Sequence, residues 1–465
     1  MSQLSVDAVR AISQAGRIYE VGGVVRDRLL GLDVSSKDRD YLVTGISYDD
    51  LTSLLKPHGR VELVGKSFGV IKFTQFVRGE AHTFDIALPR KEHSTGVGHR
   101  DFAVNFDPNL PIEDDLVRRD FTINAMAVAL DNETIVDPLG GREDIAKRQL
   151  RMTSERSFEE DPLRMLRAVQ FAARFEFSIE PTTFDSMKYH AGLIKSVSPE
   201  RIAEELNKML VLAARPSEGF RLMQRSGLLR EIMPELDLCV GIDQPGPYHA
   251  HDVFEHTLCV VDAAPPRLHL RLAALFHDIR KPQAKRPTPE GRATFYGHEA
   301  TGARAAADVL SRLRYSHDTI RDVSTLVERH MFTTDVTGKG LRRLVKKVGV
   351  DLIFELLDLR RADVVGQGMG GKTEDVDQFE AAIRAELAKK PPFGYSDLAI
   401  DGHDIMTLFG VAPGPVVGQI LGHLLEKALD DPSINTRERL IEMATAYLEG
   451  IKKRDKIYNQ KGTVS

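Results

Sequence analysis

Residues 22–41 read Gly22-Gly23-Val24-Val25-Arg26-Asp27-Arg28-Leu29-Leu30-Gly31, then Leu32-Asp33-Val34-Ser35-Ser36-Lys37-Asp38-Arg39-Asp40-Tyr41. A glycine pair without Cβ atoms lets backbone amides approach a ligand closely. The pattern predicts a helix from near Val24, with an anion site at its N-terminal amides, ending around Gly31. Asp40-Tyr41-Leu42-Val43 then predicts a strand. Asp38 and Asp40 are two residues apart, so on an extended chain both carboxylates project to one face. Paired carboxylates beside a phosphate cradle suit Mg²⁺, which takes oxygen ligands and keeps substrate phosphates in its shell. Gly23 and Arg26 are the first candidate nucleotide contacts, and Asp38 and Asp40 the candidate metal ligands and catalytic residues.

Working outward, Ile18–Val21 is a strand feeding the glycine turn, Tyr48–Leu55 a helix, and Val61–Val64, Gly69–Phe73 and Ala81–Ala87 further strands. Asp85, near the end of the last, is either a third carboxylate near the metals or a solvent-facing strand residue. Leu88–Leu110 is rich in Gly, Pro, His and charge and has no clear period, which predicts a basic loop beside the site. Asp115-Leu116-Val117-Arg118-Arg119-Asp120-Phe121-Thr122-Ile123-Asn124-Ala125 joins arginines able to fork onto phosphate with Asp120 and Asn124, which can bond ribose hydroxyls. The plain alternative is an amphipathic helix with a salt-bridged first turn. Glu160-Asp161-Pro162-Leu163-Arg164 starts a helix with acids and Pro in its first turn. Asp161, Arg164 and Arg167 recur every three residues, near one helical face. There they offer donors and acceptors to the edge of a base, or else form a simple salt bridge. Ser198-Pro199-Glu200-Arg201-Ile202 opens another helix, with Ser198 as N-cap and Pro199 at its first position.

These motifs occur in order and together resemble the signature motifs of class II tRNA nucleotidyltransferases, the CCA-adding enzymes, and of bacterial poly(A) polymerases. The resemblance covers nearly half the chain. It implies an α+β architecture: a nucleotidyltransferase head (1–148), a helical neck (149–238), a helical body (239–370) and a helical tail that binds tRNA (371–465). It implies that Asp38 and Asp40 carry Mg²⁺, that Arg119, Asp120 and Asn124 handle ribose and phosphates, and that Asp161 and Arg164 act as a protein template for CTP and ATP. Gly65-Lys66-Ser67-Phe68-Gly69-Val70 looks like the CCA-adding rather than the poly(A) version, and Leu88–Phe102 like the long loop of enzymes that add all three nucleotides. Enzymes adding only CC or only A, and poly(A) polymerases, are the rival readings.

A second chemistry follows. Tyr248-His249-Ala250-His251-Asp252-Val253-Phe254-Glu255-His256 precedes Phe276-His277-Asp278-Ile279-Arg280-Lys281-Pro282. Imidazoles with an aspartate in this order suit a divalent transition metal. The region resembles an HD domain, a metal-dependent phosphohydrolase module, which implies His256, His277 and Asp278 as ligands, with His298, His330 and Asp363 as weaker candidates. Arg280 stands where that family has glycine, so an active phosphohydrolase and a structural remnant both stay open. Arg342-Arg343, Lys346-Lys347, Arg360-Arg361 and Lys452-Lys453-Arg454 either track an RNA backbone or form solvated faces.

Composition bounds the rest. At 465 residues, with 28% charged and 42% hydrophobic, the chain is an ordinary globular one of several domains. The net charge of −5 excludes a globally basic nucleic-acid binder, so positive charge must act locally. Two cysteines, Cys239 and Cys259, exclude a disulfide framework. No apolar run spans a bilayer and the N-terminus has no signal-peptide pattern, which predicts a cytoplasmic protein without a membrane partner.

Overall fold

The computed structural model describes residues 3–461 apart from 36, 66–68, 78, 95–101, 246–249 and 290. The chain divides into two compact units, Met1–Val240 with Val309–Ser316, and Gly241–Asp308 with His317–Ser465. No helix among the described residues is long and apolar enough to cross a membrane.

The first unit begins with α1 (Val6–Ala15), β1 (Arg17–Val21), α2 (Gly23–Leu29), β2 (Asp40–Thr44) and α3 (Tyr48–Leu55). Next come β3 (Arg60–Gly65), β4 (Val70–Val77), β5 (Glu80–Ala87), β6 (Arg90–Ser94), β7 (Phe102–Phe106), α4 (Ile112–Leu116), β8 (Ala127–Ala129) and β9 (Ile135–Val136). Seven strands form one sheet in the order β3-β4-β5-β2-β1-β8-β9. The period-two alternation of β2 sorts its residues between two cores. Tyr41 and Val43 pack with Ala8 and Ile12 of α1 and Leu51 and Leu55 of α3. Leu42 packs on the other side with Tyr19, Val21, Ile112 and Leu116.

Two expectations for this region need correcting. The segment 88–110 is not a plain loop: its described residues pair as the antiparallel hairpin β6–β7, from Arg90↔Phe106 to Ser94↔Phe102. The run after Asp120 is not a helix: Thr122–Asn124 is a single 3₁₀ turn, fully buried, before β8. Its residues 121–129 are all buried, so neither side can be the polar face of an amphipathic helix. Residues 66–68 and 95–101, and with them parts of the two loop motifs, lie outside the described residues.

The helical part of the unit holds α5 (Gly141–Ala146), α6 (Ser157–Glu160), α7 (Leu163–Phe175), α8 (Pro181–His190), α9 (Pro199–Leu212) and α10 (Pro216–Ser226). One side of α7 is apolar, with Met165, Leu166, Ala168 and Val169 buried. Helices α9 and α10 approach so closely that a Cβ on Gly219 would sit 2.1 Å from the Met209 sulfur. Ser198 is the N-cap of α9 and Pro199 its first residue.

The second unit is helical. Val253–Ala263, Leu268–Phe276, His317–Arg329 and Ile353–Gly366 enclose one core, and a separate cluster built on Ile405, Ile420, Leu424, Leu440 and Ala444 holds the end of the chain. The basic pairs here are largely consumed by the fold. Arg342 is buried and donates to the carbonyls of Leu429 and Asp430, each at 2.6 Å, and to Glu386 at 2.6 Å, closing the C-terminus of the helix Pro415–Asp430. Arg343 pairs with Asp430, Lys346 with Glu426, Arg360 with Asp363, and Arg361 with Asp358, Asp377 and Glu380. Of the two readings for these pairs the structure favours internal pairing. The side chains of 452–454 lie outside the described residues.

Candidate active site and metal centre

The first cleft, about 660 Å³, lies in the first unit, and its lining includes Gly22, Gly23, Asp40, Asp85, Arg119, Asp120, Asp161, Arg164 and Arg167. Asp38 is exposed but is not among the residues that line the cleft; why Asp40 reaches it follows from Arg39. That side chain is buried and pairs with Glu20, itself 1% exposed on β1, so the residues on either side, Asp38 and Asp40, are exposed. Asp38 precedes β2, and Asp40 is its first residue. Asp40 sits in register with Asp85 on the neighbouring parallel strand, which puts the third carboxylate beside it. Desolvation in the cleft pushes the Asp40 carboxyl up; Asp85 and Asp38 add to this and Arg119 opposes it. Such mutual repulsion is what a divalent cation relieves.

Gly22 caps α2 with φ 79° and ψ −142°, a conformation closed to other L-residues. A Cβ there would lie 3.2 Å from Arg119 Nη1 and 3.7 Å from Asp40 Oδ2. The missing side chain therefore keeps the space between the arginine and the carboxylate open. Arg119 and Arg118 both lean on buried Asp115, at 3.4 and 3.3 Å.

Asp120 and Asn124 are engaged with neighbouring side chains. Asp120 Oδ1 accepts from the Phe121 amide and Asn124 Nδ2, both at 2.8 Å. Its Oδ2 accepts from Arg167 Nε at 2.9 Å and Nη2 at 2.6 Å. Asn124 Oδ1 in turn accepts from Arg26 Nη1 at 2.7 Å. Arg26 is buried, bonded to Asp27, and lies over the rings of Phe171 and Phe175. Burial would raise the Asp120 pKa, but Arg167 and the donated hydrogen bonds hold it below the usual carboxylate value. The chain Arg26–Asn124–Asp120–Arg167 thus fastens α2 to α7.

Asp161 does not share a helical face with Arg164 and Arg167. It is extended, at φ −142° and ψ 98°, between α6 and α7. The cause was visible in the sequence: a residue before proline is pushed out of the helical region, and Pro162 follows. Asp161 is still brought to the same cleft. Its Oδ1 accepts from the Leu163 amide at 3.2 Å and its Oδ2 from Arg201 at 2.9 Å. Arg164 is held from behind by Ser157 Oγ and the Arg118 carbonyl, both at 3.0 Å. Sequence reasoning quoted Arg201 only as part of a helix start and missed its grip on Asp161. It also assigned nothing to Asp115, Gln170, Arg174 or Glu205, all of which line the cleft.

The second cluster lies in the second unit. His256, His277, Asp278, His298, His330 and Asp363 are all buried and converge. His256 Nε2 is 3.2 Å from His277 Nε2, 3.4 Å from Asp278 Oδ2 and 3.2 Å from Asp363 Oδ1. His298 Nε2 is 3.3 Å from His330 Nε2 and 3.2 Å from Asp278 Oδ1. Two triads result, His256–His277–Asp278 and Asp278–His298–His330, each with ligand atoms within 4.8 Å of one another, and Asp278 belongs to both. All four Nδ1 atoms face backbone carbonyls, of Gly366, Ala274, Phe295 and Val327, at 2.7–3.1 Å. Each Nδ1–H donates there, so each Nε2 lone pair is turned inward. Lone pairs facing at 3.2 Å repel unless a proton or metal lies between them, and the donor set fits a transition metal.

The electrostatics agree with that crowding. Burial alone would lower His256, but Asp278 and Asp363 bring it up to about 9. His330 is pushed down to about 3 by burial and the neighbouring His277. Asp278 is held well below the usual carboxylate value by His277 and Lys281 against the cost of burial. Lys281 Nζ lies 2.7 Å from Asp278 Oδ2 and 2.6 Å from Gln244 Oε1.

Residues 18–151 match the Poly A polymerase head domain, residues 176–239 the family described as the probable RNA- and SrmB-binding site of polymerase A, and residues 298–444 the tRNA nucleotidyltransferase domain 2 family. The chain is 37% identical over 395 residues to the multifunctional CCA protein of Cupriavidus metallidurans, covering 80% of this chain and 90% of that protein. It is 39% identical over 389 residues to the multifunctional CCA protein of an Azoarcus species, covering 79% and 89%. In fold it is similar to the Bacillus stearothermophilus CCA-adding enzyme in complex with CTP, with a TM-score of 0.67 at 22% identity over 96% of this chain and 97% of that one. It is also similar to the Thermotoga maritima CCA-adding enzyme complexed with tRNA, with a TM-score of 0.54 at 21% identity over 95% and 94%.

Proposed function

The chain belongs to the family of multifunctional CCA proteins, and from that premise we propose how its two clusters divide the chemistry. The protein is a CCA-adding tRNA nucleotidyltransferase. Its head takes CTP and ATP and extends the 3′ end of tRNA with release of pyrophosphate. The observation that carries this is one cleft lined by Asp40 and Asp85 from two adjacent strands, by Arg119, by Asp161 just ahead of α7 and by Arg164 and Arg167 on α7.

Asp38 and Asp40, with Asp85 alongside, would hold Mg²⁺, which when bound neutralises phosphate charge and favours an ionised 3′ oxygen. Arg119, across the space kept open by Gly22, pairs with the phosphates. Asp161 and Arg164 offer an acceptor and donors to the base edge. Cytosine and adenine both present an amino donor beside a ring-nitrogen acceptor, so one fixed Asp–Arg pair serves both. The 3′ oxygen forms its bond to the α-phosphorus as the bond to the bridging oxygen breaks, and the hydroxyl proton leaves to solvent. Transfer of this kind rests on positioning and charge neutralisation, so no side chain is assigned as an obligatory base. Asp120, Asn124 and Arg26 position α2 against α7.

Transcripts ending before CCA, after C and after CC, incubated with Mg²⁺, CTP and ATP and sequenced at their 3′ ends, test this. All three are expected to finish at CCA and stop, and Asp40→Ala to silence them. Extension of one class alone, or a long A tail, refutes full CCA addition.

A second activity is favoured by the six converging ligands. We propose a metal-dependent phosphohydrolase at His256, His277, Asp278 and Asp363, with Asp278, His298 and His330 as a second metal position. Metal there supplies Lewis-acid chemistry toward a phosphate ester. Titration of chelator-treated protein with Mn²⁺, Co²⁺ or Ni²⁺ is expected to show tight binding that His277→Ala removes. Phosphatase turnover should vanish with it, while CCA addition survives. Absence of tight binding in the parent protein overturns this second reading.

A further inference from the structure

The pocket face of α7 carries Arg164, Arg167, Gln170, Phe171 and Arg174 in a row along the cleft. From Arg164 to Arg174 is ten residues, about 15 Å along the axis. The cations near this row have committed partners, with one exception. Arg164 holds Ser157 and the Arg118 carbonyl, Arg167 holds Asp120, Arg26 holds Asp27 and Asn124, and Lys208 holds Glu205. Arg174 is half-buried, borders the cleft, and has no hydrogen bond or ion pair among the described residues. Its guanidinium lies over the Phe175 ring at 4.9 Å, and the same ring carries Arg26 at 4.7 Å.

The local charge is unbalanced. Asp27 is shared by Arg26 and Lys37, so three cations with Arg174 gather around one carboxylate. Burial and then the charge of Arg26 hold Arg174 below the usual arginine value, only partly offset by Asp27. A cationic cluster of this kind, with Arg26 beside Gly23 and away from the base end of α7, is complementary to a multiply charged anion.

We propose that Arg174 binds the β- and γ-phosphates of the incoming nucleotide and the pyrophosphate that departs from it. This rests on the nucleotidyl-transfer reading of the head. Asp161 and Arg164 read the base at one end of α7. The α-phosphorus lies between, at Asp40 and Arg119. As the 3′ oxygen bonds to it, the electron pair of the broken bond leaves on pyrophosphate, whose charge Arg174 meets. Arg174 serves CTP and ATP alike, because it touches nothing that differs between them.

The test uses the full-length protein with Mg²⁺ and a tRNA transcript ending in CC, comparing the parent, Arg174→Ala and Arg174→Lys. Inhibition of A addition is titrated with inorganic pyrophosphate and, separately, with AMP. Arg174→Ala is expected to raise the inhibition constant for pyrophosphate and the KM for ATP by about tenfold or more, the scale of a lost charge-assisted contact. The constant for AMP, which lacks both terminal phosphates, stays unchanged, and Arg174→Lys recovers part of the loss. Unchanged pyrophosphate inhibition in Arg174→Ala overturns the assignment, as does an equal loss toward AMP, which marks a structural role. If Arg174→Ala does not fold, Arg174→Lys and Arg174→Gln decide by the same ratio. A parent protein that adds no nucleotide at all refutes the head's activity itself, a different failure.

Discussion

Asp120→Asn is the sharpest perturbation of the head, because it keeps the shape and removes only the charge. Both carboxylate oxygens face donors alone: the Phe121 amide and Asn124 on one side, two Arg167 nitrogens on the other. Whichever way the new amide turns, its NH₂ meets donors. The loss of charge-assisted bonds is about 1.5–3 kcal/mol, and stripping one partner from a fully buried pair reaches about 3–5 kcal/mol. The larger figure is too high here. The Arg167 side chain is 32% exposed and has Glu205 at 3.6 Å as a second carboxylate. About 2–3 kcal/mol is the expectation, a drop of about 4–12 °C in Tm for a unit of this size. Thermal unfolding by circular dichroism and the cycle with Arg167→Ala measure it, with a coupling of about 1 kcal/mol or more expected. The sign with pH follows. A carboxyl held below its unfolded value stabilises fully above about pH 4 and loses that contribution as pH falls through its folded value, so the gap between parent and variant narrows in acid. An unchanged Tm with lost discrimination of CTP against dCTP would refute the reasoning, since that is the mark of a direct ribose contact.

Other outcomes follow from the same geometry. Gly22→Ala places a Cβ beside Arg119 and strains a left-handed backbone, so nucleotide addition should fall at least about a hundredfold for a cost of about 1–3 kcal/mol in stability, read by kinetics and melting together. Arg201→Ala frees the Asp161 carboxylate, and the preference for CTP over UTP in kcat/KM should drop about tenfold, a change of ~1.4 kcal/mol. Arg342→Ala removes two carbonyl contacts and a carboxylate partner, and should lower the stability of the second unit by about 3 kcal/mol, seen as a shifted transition in denaturant.

How far the sequence alone reaches depends on the range of the contact. The strand that Asp40 opens is legible because strand patterning is local, whereas Asp38 precedes that strand and lies outside its alternation. The departure of Asp161 from the helix is equally local: Pro162 sets it, although the three-residue spacing of Asp161, Arg164 and Arg167 taken alone points to one helical face. The pairing of Asp120 with Arg167 is not legible in the sequence, because Arg167 lies 47 residues away on α7. The basic pairs of the second unit looked available to RNA for a similar reason: Arg342 meets Leu429 and Asp430 across 87 and 88 residues. Among the histidines, the His-Asp dipeptide stood out, whereas His298, His330 and Asp363 gain meaning only once three separate helices bring them to Asp278.

The inward turn of Arg39 toward Glu20 bears on how the chain tolerates change in length. The phase of the two aspartates is set by a side chain lying between them, anchored on the adjacent strand, and not by the connection that leads up to them. Residues added or removed between Gly31 and Ser35 can be absorbed ahead of the anchor. A single deletion at Lys37–Asp40 shifts the register against Glu20 and turns a carboxylate toward the core. Residues 31–35 are therefore open to insertion, for instance of a reporter peptide, while residues 37–40 admit none.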